Sequence, residues 1–305
     1  MGWTLGIDVG GTKIAAALVN SETGALEGRR QVPTDPVGGA EAILARIKDL
    51  ACAIREGSEN ALRREGSESE MDVGIGVAEL VDLDGRISSG HTLPWNGWDL
   101  RDRLSSLGTV CVDSDIRTAA RGEAIFGAGR GWRDWVYVSI GTGIGACLVR
   151  DGVPYAGARG NAMVVASAPL TGTCEVCGAT SHPVTEELSS GPALASRFRE
   201  LGGRANRAED VFEAAASGNT AAHDLLVNAG ATAGVTIGFM INTLDPEGVV
   251  IGGGLGLAEG PYRDALVSST RRHVWADASR ELEIRSAALG VDAGIVGAGL
   301  LPRQA

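Results

Sequence analysis

The residues most suited to chemistry stand near the start of the chain. Asp8-Val9-Gly10-Gly11-Thr12-Lys13 gathers a carboxylate, two glycines, a hydroxyl and an ammonium at the turn of an apolar segment. Glycine lets backbone N–H groups come within hydrogen-bonding distance of phosphate oxygens, Thr12 adds a hydroxyl, and Asp8 could hold Mg²⁺ through water. The chemistry on offer is the binding of a nucleoside triphosphate, although an ordinary tight hairpin would use the same residues. No G-x-x-x-x-G-K-[ST] occurs, so the turn is not a Walker A loop. The G-x-G-x-x-A run from Gly141 to Ala146 is followed by strand-like rather than helical sequence, which argues against a dinucleotide site. Many of the 45 glycines fall in short clusters, a distribution suited to close backbone approach to ligands. Of the five cysteines, three (Cys52, Cys111, Cys147) lie in apolar runs as small core hydrophobes, and the pair Cys174 and Cys177 has the look of chemistry.

These groups need elements to position them. Residues 3–19 read as two apolar strands joined at Gly10-Gly11, and Ile43, Leu44, Ile47, Leu50 and Ile54 recur at helical spacing over 39–57. The polar stretch 58–70 continues that helix or loops. Strands are expected at 73–77 and 110–112, a turn at Asp84-Gly85 and a loop over 90–98. Helices are expected over 188–201, 207–217 and 220–243, a strand over 248–251 running into Gly252-Gly253-Gly254, and a short helix over 293–301. Alternating strands and helices make the class α/β.

The chain also repeats itself. A shift of 130 residues lays Gly11-Thr12-Lys13-Ile14-Ala15-Ala16-Ala17-Leu18-Val19 on Gly141-Thr142-Gly143-Ile144-Gly145-Ala146-Cys147-Leu148-Val149, with six identities in nine positions. Each copy follows an apolar strand. Two similar lobes facing one another, each presenting a glycine-rich turn to a shared cleft, are the expected consequence. Chance similarity between two small-residue strands is the alternative.

Composition sets the outer bounds. At 305 residues, 44% hydrophobic and 21% charged, the chain is long enough for two lobes with proper cores. A net charge of −11 argues against a nucleic-acid or anionic-membrane surface, because neutralising phosphates takes clustered Lys and Arg. No charged-then-apolar leader and no uninterrupted apolar stretch of spanning length are found, so a cytoplasmic protein is expected.

The Asp8–Lys13 turn, Gly141-Thr142-Gly143-Ile144-Gly145, Gly252-Gly253-Gly254-Leu255 and the run from Leu289 to Ala298 occur in the order and spacing of ROK-family glucokinases and related sugar kinases, which the chain resembles over essentially its whole length. The resemblance implies a duplicated, two-lobed actin-like ATPase fold with a central ATP and sugar cleft. Residues 1–116 would form the N-terminal lobe, with the C-terminal helix 293–305 packing back on it, and 117–292 the C-terminal lobe. Gly10, Gly11, Thr12, Lys13, Gly141, Thr142 and Gly143 would surround the phosphates, and Gly252, Gly253 and Gly254 would lie near the adenosine. Asp115, at a junction between strand and helix, matches the family's base that takes the proton from the attacking hydroxyl. A carboxylate there could equally cap the helix.

The likeness breaks at the sugar pocket. Glucose-type members carry Asn where Ser114 stands, Pro-Gly or Ala-Gly where Ala78-Glu79 stands, Asn where Thr92 stands, and a Glu-x-Gly-His segment where Val164 to Ser167 stand. Glu186 keeps its place. With the ATP half intact, a re-specified acceptor is expected rather than a dead enzyme. Glu79 would suit an ammonium, and Val164 and Ser167 remove contacts to the sugar's anomeric end. The expected acceptor is therefore a small molecule with an exocyclic primary alcohol, either an amino sugar of the kanosamine type or a C7 cyclitol, as in antibiotic biosynthesis. Glucose or an N-acetylhexosamine is the alternative. The family's zinc motif is altered too, leaving Cys174, Cys177 and His182 as three plausible Zn²⁺ ligands without the usual fourth. A homodimer follows from family likeness. A sugar-sensing regulator and an inactive ATP-binding relative are the readings from other classes, the former disfavoured because the phosphate turn starts at residue 8.

Overall fold

Successive side chains of the strand Lys13–Asn20 (β2) enter different cores. Ile14, Ala16 and Leu18 pack on one face of a sheet, and Ala15, Ala17 and Val19 on the other. This is the two-residue period of extended backbone, with both faces covered. The computed structural model describes residues 2–58, 71–173 and 176–303, so most of the polar stretch 58–70 and Cys174 lie outside the described residues. The chain divides into two units, Met1–Arg133 with Cys147–Ala162 and Ala287–Ala305, and Asp134–Ala146 with Met163–Ser286.

The sheet of the first unit has the order β3-β2-β1-β4-β5. Here β1 is Trp3–Val9, β3 Leu26–Pro33, β4 Val73–Val77 and β5 Val110–Ser114. β1 and β2 pair antiparallel from Trp3 with Asn20 to Val9 with Ile14, which is the hairpin expected from the sequence. β4 runs parallel to β1, and β5 parallel to β4. The edge strand β3 escapes sequence reading because Gly28, Arg29, Arg30 and Gln31 are all exposed; backbone pairing with β2, not burial, makes it a strand. Helix Ala40–Gly57 (α1) buries Ile43, Leu44, Ile47, Leu50, Ala51 and Ile54 against one sheet face.

The other face is kept low by glycine. β4 reads Val-Gly-Ile-Gly-Val, with Val73, Ile75 and Val77 in the core beside α1. A Cβ at Gly74 would come 2.6 Å from the carbonyl carbon of Ala298, and one at Gly76 would come 3.4 Å from Cα of Asp115. The helices Asp115–Ile125 (α2) and Ala293–Gly299 (α8) can therefore lie with their backbones almost on the strands. The sheet thus sets the height at which α2 begins.

In the second unit, Asp134–Ile140 (β6), Ile144–Arg150 (β7), Gly248–Gly252 (β9) and Glu283–Ser286 (β10) take the order β10-β9-β6-β7, with β9 parallel to both β6 and β10. From Cys147 on, β7 and its partner Val153–Pro154 (β8) count with the first unit. The sequence repeat is thus a repeat of strand–turn–strand. Four residues separate Val9 from Ile14 and three separate Ile140 from Ile144, so the copy has a turn one residue shorter.

Helices Thr185–Ser189 (α3), Gly191–Glu200 (α4), Ala208–Ala216 (α5), Thr220–Leu244 (α6) and Pro261–His273 (α7) complete this unit. α6 carries glycine at every fourth position, 230, 234 and 238. A Cβ at Gly230 would come 2.9 Å from the Tyr262 carbonyl carbon, at Gly234 2.7 Å from Ser269 Cβ, and at Gly238 2.8 Å from His273 Cβ. The stripe lets α6 and α7 pack backbone to backbone. By length and mean hydropathy α6 is also long and apolar enough to cross a membrane, although His223, Asp224 and Asn228 interrupt its apolar run, as the sequence reading has it. Twelve of its 25 residues are buried, and that burial accounts for its apolar character.

Candidate functional site

The hairpin of β1 and β2 closes on itself at its tip, where Gly10 N donates to Lys13 O at 2.9 Å. Thr34 braces the turn from β3's end, its N on Thr12 O at 3.1 Å and its Oγ1 on Gly10 O at 2.6 Å. Gly10 therefore shapes the turn, and among the described residues the N–H groups of Gly11 and Thr12 take no part in closing it. Asp8 lies half-buried just before the turn, against Gly294, where a Cβ would fall 2.7 Å from its carboxyl carbon. Burial pushes the Asp8 carboxyl up to about 6, Lys13 works against that rise, and Asp292 adds to it. Sequence reading missed Asp292 and Gly294 as neighbours of this site. The signal was an acid and a glycine together at the start of a helix.

At the end of β5 the chain turns directly into α2. Ser114 occupies the N-cap position but makes no capping bond, and its Oγ, in a residue only 4% exposed, has no hydrogen-bond partner among the described residues. Asp115 is the first helical residue rather than the cap, and its Oδ1 accepts from Ile116 N at 2.7 Å. Its carboxyl is pushed up to about 7, mainly by burial and then by the negative charge of Asp8, with Glu79 adding to the rise and the Ile116 N–H and Arg117 opposing it. Asp113 is absorbed by structure. Its carboxylate takes the guanidinium of Arg117, which also donates to Gly160 O at 2.7 Å and Val81 O at 2.8 Å.

Glu79 stands two residues beyond β4 and is 7% exposed, and its contacts bear on the expectation that it suits an ammonium. Its Oε1 accepts from Thr92 N at 2.5 Å and Leu93 N at 2.6 Å, and its Oε2 from His91 N at 3.2 Å and from the Ser89 hydroxyl. The carboxylate is thus engaged by its own loop rather than held out for an ammonium. Thr92 lies where that loop meets the glycine turn; a Cβ at Gly11 would be 2.5 Å from its methyl carbon.

The second unit gathers its own glycine site. Gly141 N donates to Gly143 O at 2.9 Å, and Gly191 N, at the start of α4, donates to Gly141 O at 2.9 Å. Ile140 O accepts from Leu255 N at 3.0 Å and Gly256 N at 2.9 Å, drawing the Gly252–Gly254 loop onto this turn. Gly253 has φ +78° and would place a Cβ 2.6 Å from Ile140 N, so only glycine suits that position, while Gly254 faces open space. Among the described residues the N–H groups of Thr142 and Gly143 meet no acceptor, and the same holds for Gly11 and Thr12. Glu186 belongs to this turn, its Oε2 accepting from Ile144 N at 2.7 Å.

Val164 is exposed, and its carbonyl accepts from the Ser167 hydroxyl at 2.9 Å within one short turn. Cys177 and His182 are exposed as well, with His182 Nδ1 3.2 Å from Thr171 Oγ1. Cys174 lies outside the described residues. Among the described residues no three His, Cys, Asp or Glu side chains come together as a metal set, so nothing in the structure supports the Zn²⁺ expected from the motif.

A family model described as the ROK family matches residues 4–305. The chain is 29% identical to a glucokinase of Halalkalibacterium halodurans over 99% of its own length and 95% of the relative's. It is 28% identical to an N-acetylmannosamine kinase of Escherichia coli, covering 98% and 97%. Among solved structures, a ROK family glucokinase from Streptomyces griseus in complex with glucose and AMPPNP superposes with a TM-score of 0.82 at 27% identity, covering both chains completely.

Proposed function

The chain belongs to the ROK family and is a sugar kinase with that family's actin-like ATPase fold, and from that premise we propose that it transfers the γ-phosphate of ATP to an exocyclic primary hydroxyl with Asp115 as general base. The observation that carries this assignment is the placing of Asp115, a half-buried carboxylate at the head of α2 with Asp8 as its charged neighbour. A base must be within reach of the acceptor hydroxyl and able to hold a proton near neutral pH. In the first unit Gly11 and Thr12, and in the second Thr142 and Gly143, each offer N–H groups suited to phosphate oxygens, and Gly252 to Gly254 of the second unit offer backbone suited to adenosine. Asp8, whose carboxyl is raised mainly by burial, has the chemistry to hold Mg²⁺, which would neutralise the transferring phosphates.

The acceptor belongs to the same proposal. By the resemblance, Ser114, Val164 and Ser167 stand where glucose-type members carry an amide, a carboxylate and an imidazole, and among the described residues the buried Ser114 hydroxyl has no partner. These changes favour a modified hexose, either an amino sugar such as kanosamine or a C7 cyclitol, in a cytoplasmic setting. Glucose or an N-acetylhexosamine is the second reading, favoured by the retained Glu186 and by what the relatives are named for. ADP release should be followed over a panel of glucose, kanosamine, N-acetylmannosamine and C7 cyclitols, with Mg²⁺ present and with it chelated. Turnover of kanosamine or a cyclitol above glucose is expected; glucose above both overturns the acceptor assignment, and no turnover with any overturns the kinase reading.

A further inference from the structure

We propose that Glu79 is a positioning residue of the phosphoryl-transfer site, which seats Thr92 beside the Gly10–Gly11 turn by gathering the loop 89–93 onto its carboxylate. The inference rests on the reading of that turn as a phosphate site and deepens it.

The geometry begins at the end of β4. Val77 is paired with Ser114 of β5, and the next residue, Ala78, donates its N–H to Val9 O at 2.9 Å. Glu79 therefore leaves the sheet between the residues that precede the glycine turn and those that precede Asp115. A carboxylate 7% exposed loses most of its hydration, and that loss is offset only when its lone pairs are met. Here four donors meet them, three being the backbone N–H groups of the successive residues His91, Thr92 and Leu93. Such a run of N–H groups is a concave anion nest built by the chain for its own side chain. Ser89 adds a second tie, its Oγ donating to Glu79 and accepting from Leu80 N at 2.8 Å.

Little else fixes this stretch. Gly90, His91, Thr92 and Pro94 are exposed, whereas Leu93 and Trp95 are buried anchors on its far side. The position of Thr92 is thus set by the clamp. Its methyl group fills the space that a Cβ at Gly11 would need, so the clamp and the turn form one surface. Side chains that hold a reacting group through another element act by positioning, and small displacements there cost far more in rate than in stability.

The test uses the full-length protein and two substitutions, Glu79→Gln, which keeps the shape and puts an NH₂ against the N–H donors, and Ser89→Ala, which removes one tie and leaves the carboxylate. Hydrogen exchange at His91, Thr92 and Leu93 should quicken at least tenfold in E79Q. In turnover assays with the best panel acceptor, the KM for that acceptor should rise roughly tenfold or more in E79Q and severalfold in S89A, while the affinity for AMPPNP measured by calorimetry changes less than threefold. The effects of E79Q and Thr92→Gly should also be strongly non-additive, because one acts through the other. Unchanged exchange at 91–93 in both variants sinks the clamp itself. Quickened exchange with an unmoved acceptor KM, or with acceptor KM, nucleotide affinity and Tm all shifting together, sinks the positioning role. Absence of turnover in the unmodified protein overturns the kinase reading and this role with it, and the exchange data then still decide the clamp.

Discussion

At the residue scale the decisive feature is a carboxylate kept from ionising easily. Asp115 is raised to about 7 by burial and by Asp8 and Glu79, against an ordinary value near 3.8. As a base it works only when deprotonated, so kcat/KM for the acceptor should climb about tenfold per pH unit below about 7 and level off above it. The sign for stability is the reverse. The folded protein holds this proton more tightly than the unfolded chain, so the group's contribution is most favourable below about pH 4 and is lost as pH rises through about 7. Asp115→Asn should therefore stabilise the fold at pH 8 by about 1–2 kcal/mol, after discounting for its partial exposure, and by almost nothing at pH 4. The same substitution should cut kcat at least a hundredfold with an unchanged circular dichroism spectrum. Denaturant titrations at the two pH values check the first expectation, and a gain that persisted at pH 4 would show that desolvation of the charge is not its source.

At the element scale, glycine decides where helices lie. Gly74 and Gly76 let α8 and α2 settle on β4, and Gly230, Gly234 and Gly238 let α6 settle on α7. A methyl group at Gly234 would meet Leu266 O at 2.5 Å and Thr270 N at 2.9 Å, both backbone atoms that cannot turn aside. Gly234→Ala should cost about 2–3 kcal/mol as overpacking, despite the higher helix propensity of alanine. An exposed helical glycine would show the opposite sign, so thermal unfolding of this one variant separates packing from propensity. Glu123 does for the start of α8 what Glu79 does for the loop 89–93. It is fully buried, and its carboxylate accepts from Ala128 N at 2.7 Å, Ala288 N at 3.0 Å and Leu289 N at 2.8 Å.

At the scale of the whole molecule, the surface of the second unit carries two apolar rings in the open, Phe239 on α6 at 67% exposure and Trp275 just after α7 at 87%. The segment carrying Trp275 is tied to α6 by Asn242, which donates to His273 O at 2.8 Å and accepts from Trp275 N at 2.8 Å. Val235 lies one turn before Phe239 and is half-buried. Exposed aromatic groups of this size, held in place, suit association of two like chains. The expected outcome is a dimer in light scattering that dissociates toward monomer in the double variant Phe239→Ser, Trp275→Ser. A mass unchanged between the two proteins would put any self-association elsewhere.

What the sequence determined by itself was whatever depends on short-range pattern. Short apolar runs placed β1, β2 and β4, helical spacing placed α1, and the 130-residue repeat announced two copies of one hairpin; Asp115 was singled out by the resemblance to ROK-family kinases, since its place between a strand and a helix would by itself suit a cap equally well. The edge strand β3 left no such pattern, since only pairing with β2 makes it. Tertiary structure alone decided the fate of the acidic residues. Glu79, Asp113, Glu123 and Glu186 look alike in sequence as polar groups near turns, yet all four are engaged within their own unit, three by backbone N–H groups and Asp113 chiefly by Arg117. Asp115 keeps one backbone partner and a neighbouring carboxylate. The physical reason is that the cost of burying a charge is settled by donors that the fold brings from distant segments, and no local pattern records which carboxylate will find them.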